Sequence, residues 1–258
     1  MEKGICLLRI IPLRWEPSEK SEMVSQLLFG EAYEIAEKTA EWLRVITELD
    51  GYTGWIDIRM FSSVSADYYQ RLSQGGYAVA GGITETLLTP ENVAYTIPAG
   101  STLGFAGQDG TFTINSMPYR LIGQSKAPVQ KQSTDLIETA MRFLNSPYLW
   151  GGRSPFGYDC SGFTQMVYKI NGVRLRRDAS QQASVGRIID TVKETARGDL
   201  VFFANHEDRV VHVGLAIPPG KIIHCSGMVR IDALDEKGIF NSRINQYTHR
   251  LHSIRRVL

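Results

Sequence analysis

The chain has 258 residues, of which 43% are hydrophobic and 21% are charged, and its net charge is +1. This length and hydrophobic content are enough for two or three compact domains, and a net charge near zero disfavours nucleic acid or an anionic membrane as the partner. The sequence contains no run of about 18 apolar residues, so it predicts no membrane-spanning helix.

The first apolar segment, residues 4–12, does not have the form of a signal peptide. Arg9 interrupts it, and Arg14, Trp15 and Glu16 follow it. The chain has three cysteines without the paired spacing of a disulfide framework, which is typical of reducing surroundings. We therefore expect a cytoplasmic protein; a periplasmic or secreted location is the alternative if a leader peptide is missing from the sequence.

Residues 1–62 contain short segments in which polar and apolar residues alternate, separated by turn residues. This pattern predicts a small β-barrel. The segments are residues 5–11, 23–29, 32–36, 42–47 and 54–58. Motifs such as Trp42-Leu43-Arg44-Val45 and Gly54-Trp55-Ile56 resemble a bacterial SH3 domain, which we place over residues 1–62.

Residues 63–76 are rich in Ser, Asp, Tyr, Gln and Gly and are predicted to be a connector. Residues 77–123 carry a second set of short strand-like segments. The turns between them are predicted at Gly81-Gly82, Pro98-Ala99-Gly100 and Asp109-Gly110. We predict a second SH3-like domain over residues 63–124. The polar residues 124–132 then form a predicted linker to a helix over residues 134–144.

A stretch rich in Pro and Gly, residues 146–157, precedes a helix that starts at Cys160. Apolar residues recur at three- and four-residue steps up to Ile170, and Asn171-Gly172 ends the helix. Asp159 is the predicted N-cap. Backbone N–H groups and the helix dipole stabilise a thiolate in the first helical turn. Cys160 is therefore a candidate nucleophile, with a small buried structural cysteine as the alternative.

His212 and His224 lie in two strand-like segments joined by Pro218-Pro219-Gly220, which predicts a β-hairpin. In residues 211–217, large apolar side chains alternate with His212 and small residues, so one face of the strand is kept small. A turn centred near residue 218 or 219 places the histidines within about one residue of opposition, close enough to hydrogen-bond. This predicts His212 as a base and His224 as its orienting partner.

The chemical alternative is a metal site made from Cys160, His212, His224 and Cys225. The thiol site is favoured because structural zinc ligands usually come in close pairs such as Cys-x-x-Cys, which this chain lacks. We therefore expect no metal and no other cofactor. Cys6, in an apolar run, is predicted to be a core residue. The histidines in polar or basic surroundings are predicted to be solvated: His206, His249 and His252.

Five motifs in the last half of the chain resemble, in order and spacing, those of the NlpC/P60 family of papain-like cysteine peptidases. They are Pro147-Tyr148-Leu149-Trp150-Gly151-Gly152, Asp159-Cys160-Ser161-Gly162-Phe163, Arg197-Gly198-Asp199-Leu200-Val201-Phe202-Phe203, His212-Val213-Gly214 and Ile223-His224. The resemblance implies a Cys-His-His triad of Cys160, His212 and His224. It also implies a multidomain fold, in which two small all-β SH3-like barrels precede an α+β papain-like catalytic domain over residues 130–258.

Within that family, the whole chain is similar to γ-D-glutamyl-L-diamino acid endopeptidases that carry two bacterial SH3-like domains. The similarity implies hydrolysis of peptidoglycan stem peptides of the form L-Ala-γ-D-Glu-diamino acid. The cleaved bond lies between γ-D-glutamate and the diamino acid, which is diaminopimelate or lysine. The implied substrates have a free N-terminal amine, and the implied role is murein peptide recycling. The residues at substrate-contacting motif positions are Trp150, Ser161, Asp178, Glu22 and Tyr52. A carboxylate such as Asp178 suits the amine, because a charge-assisted hydrogen bond to an ammonium is stronger than a neutral one. Two other functions remain as alternatives to hydrolysis: a wall-binding module with a vestigial peptidase domain, and an acyltransferase that uses the same thiol. We expect the protein to be a monomer.

Overall fold

The computed structural model describes residues 2–107, 109–123, 125–126 and 134–258. It divides into two compact units, Met1–Val129 and Gln130–Leu258. The predicted linker, residues 124–132, lies outside the described residues except for residues 125 and 126. No helix among the described residues is long and apolar enough to cross a membrane.

The first unit begins with a six-stranded antiparallel sheet in the spatial order β1-β4-β5-β6-β2-β3. Its strands are β1 (Lys3–Ile5), β2 (Ile10–Arg14), β3 (Met23–Leu28), β4 (Ala32–Lys38), β5 (Trp42–Thr47) and β6 (Thr53–Asp57). Alternate side chains point inward, as Ile11 and Leu13 do in β2, and form one core that includes Cys6. The predicted β-barrel and the core position of Cys6 are confirmed, although the predicted segment 5–11 is split between β1 and β2.

The predicted connector contains a helix, α1 (Ala66–Ser73), because the Ser65 hydroxyl caps its start by accepting from the Tyr68 N–H. A second antiparallel sheet follows, in the order β10-β11-β8-β9. The strands of this part are β7 (Val79–Ala80), β8 (Thr84–Leu88), β9 (Ala94–Pro98), β10 (Thr111–Ile114), β11 (Met117–Ile122) and β12 (Ser125–Lys126), with β12 paired to β7. Its core also takes in Ile5 and Phe29, so the two sheets of this unit pack on each other.

The second unit places its helices before its main sheet. The elements before that sheet are α2 (Thr134–Met141), β13 (Arg153–Ser154), β14 (Gly157–Tyr158), α3 (Cys160–Ile170), α4 (Ala179–Gln182) and β15 (Arg187–Ile189). The predicted helix starts are confirmed at Thr134 and Cys160, and β13 and β14 form a short hairpin within the predicted loop. Every residue of α3 is buried, so this helix runs through the interior of the unit.

The main sheet has the order β15-β21-β16-β17-β18-β19-β20, and β20 also pairs with β21. Its further strands are β16 (Leu200–Ala204), β17 (Val210–Ile217), β18 (Lys221–Ser226), β19 (Met228–Asp235), β20 (Gly238–Asn241) and β21 (Gln246–Arg256). The extra pairing closes β16 to β21 into a barrel, whose interior includes Phe203, Ala216, Ile222, Leu234 and Ile239. The predicted hairpin is β17–β18, and α3 packs against both of its strands. The start of α3 is thereby brought to the predicted histidine strands.

Candidate active site

Cys160 is the first residue of α3, and the predicted N-cap, Asp159, is confirmed. Asp159 Oδ1 accepts from the Gly162 N–H at 2.7 Å, and Oδ2 accepts from the Gly151 N–H at 3.0 Å. A Cβ at Gly162 would lie 2.1 Å from the carbonyl oxygen of Gly152, so this approach requires glycine. One carboxylate therefore fixes both the start of the helix and the loop before it.

The Asp159 carboxylate is paired with a buried cation that the sequence analysis missed. Arg177 is 1% exposed, forms an ion pair with Asp159 and donates from Nη1 to the Ser161 hydroxyl at 2.9 Å. Ser161 Oγ in turn lies 3.3 Å from Asp159 Oδ1, so the predicted substrate residue Ser161 belongs to this network. Val173, Leu175 and Arg177 are buried, and the residues between them are exposed. This alternation is the sequence feature that would have indicated a buried Arg177.

The sulfur of Cys160 lies against the backbone of β17 on both sides of His212. Cys160 is 8% exposed, and its Sγ lies 4.0 Å from the carbonyl oxygen of Val211. The backbone N–H of Val213 points at the same sulfur. Since Val211 and Val213 flank His212, the fold brings the thiol against the strand segment that carries this imidazole.

The predicted hydrogen bond between the two histidines is present, with 2.8 Å between His212 Nε2 and His224 Nδ1. The predicted turn centre at residue 219 is confirmed, but His224 lies opposite Gly214, two residues from His212 and not within about one residue, so the histidines contact each other diagonally. A Cβ at Gly214 would lie 2.7 Å from the Cβ of His224 and 2.8 Å from Cδ1 of Ile222. The missing side chain at Gly214 therefore lets the His224 ring cross to His212.

Asp232, on β19, extends this chain of side chains and was not found from the sequence. Its Oδ2 lies 2.9 Å from His224 Nε2, and its Oδ1 accepts from Arg230 Nη2 at 2.7 Å. Burial acts to raise the pKa of Asp232, but the hydrogen bonds from His224 and Arg230 outweigh it, and the pKa lies below its usual value. Asp232 lies on the buried face of β19 together with Leu234, while Ile231 is exposed on the other face. The alternation of residues in this segment is the sequence feature that would have indicated a buried carboxylate.

The prediction that His249 is solvated is wrong. Its ring stacks on the His212 ring, with 4.1 Å between centroids and 27° between planes, and burial lowers its pKa to about 4. The physical reason is the strand register. His249 is paired with Ile239, whose side chain points into the barrel, and paired residues of neighbouring strands point to the same face of the sheet, so the imidazole also points inward. His206 and His252 are exposed, as predicted.

Burial favours the neutral forms of both Cys160 and His212. It raises the pKa of Cys160 to about 11, with the Asp159 charge adding to the rise, while N–H groups of Val213 and Ser161 and the Arg177 charge act the other way. Burial, together with His249 and His224, lowers the pKa of His212 well below its usual value. The helix start was predicted to favour a thiolate, but loss of hydration outweighs the first-turn N–H groups.

Two further predicted substrate residues lie close to Cys160 in the chain and are held by elements of this site. Trp150 is 61% exposed and precedes Gly151, whose N–H is bound by Asp159. Asp178 is half-buried, follows Arg177 and caps α4. Burial, with a smaller contribution from the Cys160 charge, raises the pKa of Tyr148 above its usual value.

The other two predicted substrate residues, Glu22 and Tyr52, belong to the first unit. Glu22 directly precedes β3, and Tyr52 directly precedes β6, where it packs on the core of the first sheet. Their contact with substrate stays a prediction. In the part of the chain that the structure describes, no three His, Cys, Asp or Glu side chains form a cluster suited to a metal ion. Cys225 is fully buried, and its thiol donates to the Tyr158 carbonyl at 3.1 Å.

Comparison with known proteins gives a consistent result for both units. The NlpC/P60 family model matches residues 145–248, and the model described as bacterial dipeptidyl-peptidase Sh3 domain matches residues 13–59. The gamma-D-glutamyl-L-lysine dipeptidyl-peptidase of Bacillus subtilis (strain 168) is 32% identical over 219 residues, which cover 78% of this chain and 71% of that protein. Dipeptidyl-peptidase 6 of Lysinibacillus sphaericus is 27% identical over 264 residues, covering 91% of this chain and 92% of that protein. A crystal structure of an NlpC/P60 family protein from Bacillus cereus ATCC 10987 matches over 99% of both chains with a TM-score of 0.83 and 21% identity, which shows a common fold.

Proposed function

The chain belongs to the NlpC/P60 family of cysteine peptidases, and from this premise we propose that it hydrolyses peptidoglycan stem peptides between γ-D-glutamate and a diamino acid. The observation that carries the proposal is the placement of the Cys160 sulfur against the strand of His212, whose ring is bonded to His224. A thiol, a base and an orienting group are the parts that nucleophilic acyl transfer needs. The name of the Bacillus subtilis relative supports the γ-D-glutamyl bond as the target.

In the proposed reaction, the Cys160 sulfur attacks the side-chain carbonyl of γ-D-glutamate. The thiol proton passes to Nδ1 of His212, because Nε2 is bonded to His224. Backbone N–H groups in the first turn of α3 stabilise the oxyanion. The C–N bond then breaks, and the leaving amine takes the proton from His212. Water, deprotonated by His212, finally hydrolyses the thioester and releases the γ-carboxylate and the thiol.

Substrate recognition is the finer part of the proposal. We assign the free amine of the N-terminal L-alanine to Asp178, with Trp150 and Ser161 beside the scissile bond and Glu22 and Tyr52 as contacts from the SH3 domain. A requirement for the free amine would direct the enzyme to released peptides, as in cytoplasmic recycling. The domain limits behind this proposal are 1–62, 63–124 for a second SH3-like domain, and 130–258 for a papain-like α+β domain. The separate four-stranded sheet of β8 to β11 supports the second of these.

The experiment that tests this function compares L-Ala-γ-D-Glu-meso-diaminopimelate, its L-lysine analogue, the N-acetylated tripeptide and intact sacculi, with products identified by mass. We expect release of L-Ala-γ-D-Glu and the free diamino acid, and a kcat/KM at least about 10-fold lower for the acetylated peptide, because acetylation removes the ammonium. Binding to sacculi without any product would indicate a wall-binding module instead. Product carrying an added amine would indicate acyl transfer.

We expect the acid limb of kcat/KM to lie below pH 6.5, the usual pKa of histidine. His212 must be neutral to accept the thiol proton, and burial lowers its pKa, so it stays active at a pH where a solvated histidine is protonated. The measurement is kcat/KM between about pH 4 and pH 9, with folding followed by circular dichroism at each pH. An acid limb at or above pH 6.5 in the folded enzyme contradicts the expectation.

A further inference from the structure

Three buried side chains form a line that ends at the base of the proposed reaction. Asp232 Oδ2 lies 2.9 Å from His224 Nε2, and His224 Nδ1 lies 2.8 Å from His212 Nε2. Asp232 is 8% exposed, His224 1% and His212 6%, so water competes little for these hydrogen bonds. The protons on the two rings are therefore set mainly by one another and by the carboxylate.

The carboxylate allows one order of donors along this line. An ionised carboxylate only accepts, so a neutral His224 must carry its proton on Nε2. His224 Nδ1 then has a lone pair and accepts from an N–H at Nε2 of His212. That order leaves the lone pair of His212 on Nδ1, the nitrogen that takes the thiol proton in the proposed reaction.

The reverse order fits the same ring positions and would disable the base. If His224 donated from Nδ1 to His212, then His212 would carry its proton on Nδ1 and have no lone pair there. The correct order is selected only if a group at His224 Nε2 always accepts a hydrogen bond and never donates one. The Asp232 carboxylate lies at that position. Among the described residues, other titratable or charged groups near the line include Arg230, hydrogen-bonded to Asp232, His249, whose ring lies 5.8 Å from that of His224, and Cys160, whose sulfur lies beside Val211.

We propose that Asp232 is a positioning residue that fixes His212 in the tautomer with a free Nδ1 lone pair. The proposal rests on the function proposed above, because it makes His212 the base. Asp232 acts through His224 and does not touch the reacting atoms. Removing its charge should therefore reduce kcat more than it changes KM.

The test is Asp232→Asn, an amide of the same shape that is able to donate to His224 Nε2 and so to permit the reverse order. We expect kcat to fall by about 10- to 1,000-fold with KM changed by less than about 3-fold, as for loss of a tautomer-holding carboxylate. Nitrogen-15 NMR of the ring nitrogens should show the His212 proton on Nε2 in the wild type and on Nδ1 in a substantial fraction of the variant.

The matched control is Asp235→Asn, which makes the same substitution at an exposed carboxylate of β19 whose partners are Tyr247 and the backbone of Lys237 and Gly238. We expect kcat within about 3-fold of the wild type and an unchanged tautomer. An equal loss in both variants would overturn the proposal, since it would point to a general effect of substitution on β19. A wild-type His212 protonated on Nδ1 would overturn it even if Asp232→Asn failed to fold. If the wild type cleaves no stem peptide, the proposed function fails, while the NMR result still decides the tautomer.

The ring stack carries a second inference independently, and the geometry points to His249 as the residue that holds the plane of the His212 ring. The His249 ring stacks on the His212 ring, with 4.1 Å between the ring centroids. Its Nδ1 is hydrogen-bonded to Thr248 Oγ1 at 2.8 Å, which restrains the orientation of the His249 ring. Phe203 meets both rings, with centroids 5.9 Å from each. In the proposed reaction, a ring held in this way keeps Nδ1 of His212 available to the Cys160 thiol, which lies beside the backbone of Val211.

His249→Phe keeps a flat ring without a titratable group, whereas His249→Ala removes the stack. We expect His249→Ala to lower kcat by about 3- to 10-fold at unchanged KM, and His249→Phe to stay within about 2-fold of the wild type. The rate of Cys160 alkylation by iodoacetamide gives the same comparison without a substrate. Equal losses in the two variants, or none in His249→Ala, would overturn this assignment.

Discussion

Cys160→Ala is expected to lower kcat/KM for L-Ala-γ-D-Glu-diaminopimelate by at least about 10⁴-fold while leaving the fold intact. The proposed reaction loses the sulfur atom that forms the thioester. The fold loses only one small side chain at the start of α3, where Asp159 still caps the helix. Turnover by mass spectrometry and substrate affinity by calorimetry measure the two effects separately.

The control for this variant is Cys6→Ala, because Cys6 is also a buried cysteine but lies in the first unit. We expect full activity and a loss of about 1 kcal/mol of stability, the usual size for a core truncation of this kind. If Cys160→Ala retained a tenth or more of the wild-type turnover, another group would have to be the nucleophile.

Gly214→Ala is expected to lower kcat by about 100-fold, because the added methyl group and the His224 side chain cannot both keep their places. The new Cβ would lie 2.7 Å from the Cβ of His224 and 2.8 Å from Cδ1 of Ile222. Either His224 moves, or the two strands separate. Both responses pull the His224 ring from His212 and Asp232, and a misplacement of about 1 Å is costly in an active site.

Ala216→Gly is the matched control, since Ala216 lies two residues further along the same face of β17, opposite Ile222. It changes the strand without adding bulk near the histidines. We expect kcat within about 3-fold of the wild type and a stability loss of about 1 kcal/mol. Stopped-flow turnover and thermal melting of both variants are the measurements. If the Gly214→Ala variant kept a near wild-type kcat, the claim that a Cβ at position 214 displaces His224 would be wrong.

Local sequence signals were sufficient to predict the start of α3 and the β17–β18 hairpin. The N-cap at Asp159, the helical spacing up to Ile170 and the turn at residues 218–220 act within a few residues and are readable without the fold. These signals placed the thiol and the two histidines on the correct elements. The SH3-like pattern at the N-terminus was readable for the same reason.

Asp232 and His249 were not predictable in this way, because their places depend on strand register in a closed barrel. Asp232 reaches the site through the pairing of β19 with β18, and His249 through the pairing of β21 with β20 and β16. A shift of one residue would turn either side chain to the opposite face. The direction of the Cys160 pKa was missed because burial, a property of the folded unit, outweighs the helix terminus.

The closed ring of β16 to β21 has a consequence for how the enzyme can be re-engineered. His212, His224 and Asp232 are each attached to a strand with neighbours on both sides, so strand pairing fixes their positions relative to one another. The loop of residues 146–157 lies outside that ring. Side-chain exchanges at its exposed positions, such as Trp150 and Phe156, are expected to change which substrates are accepted while the hydrogen bonds among His212, His224 and Asp232 stay in place.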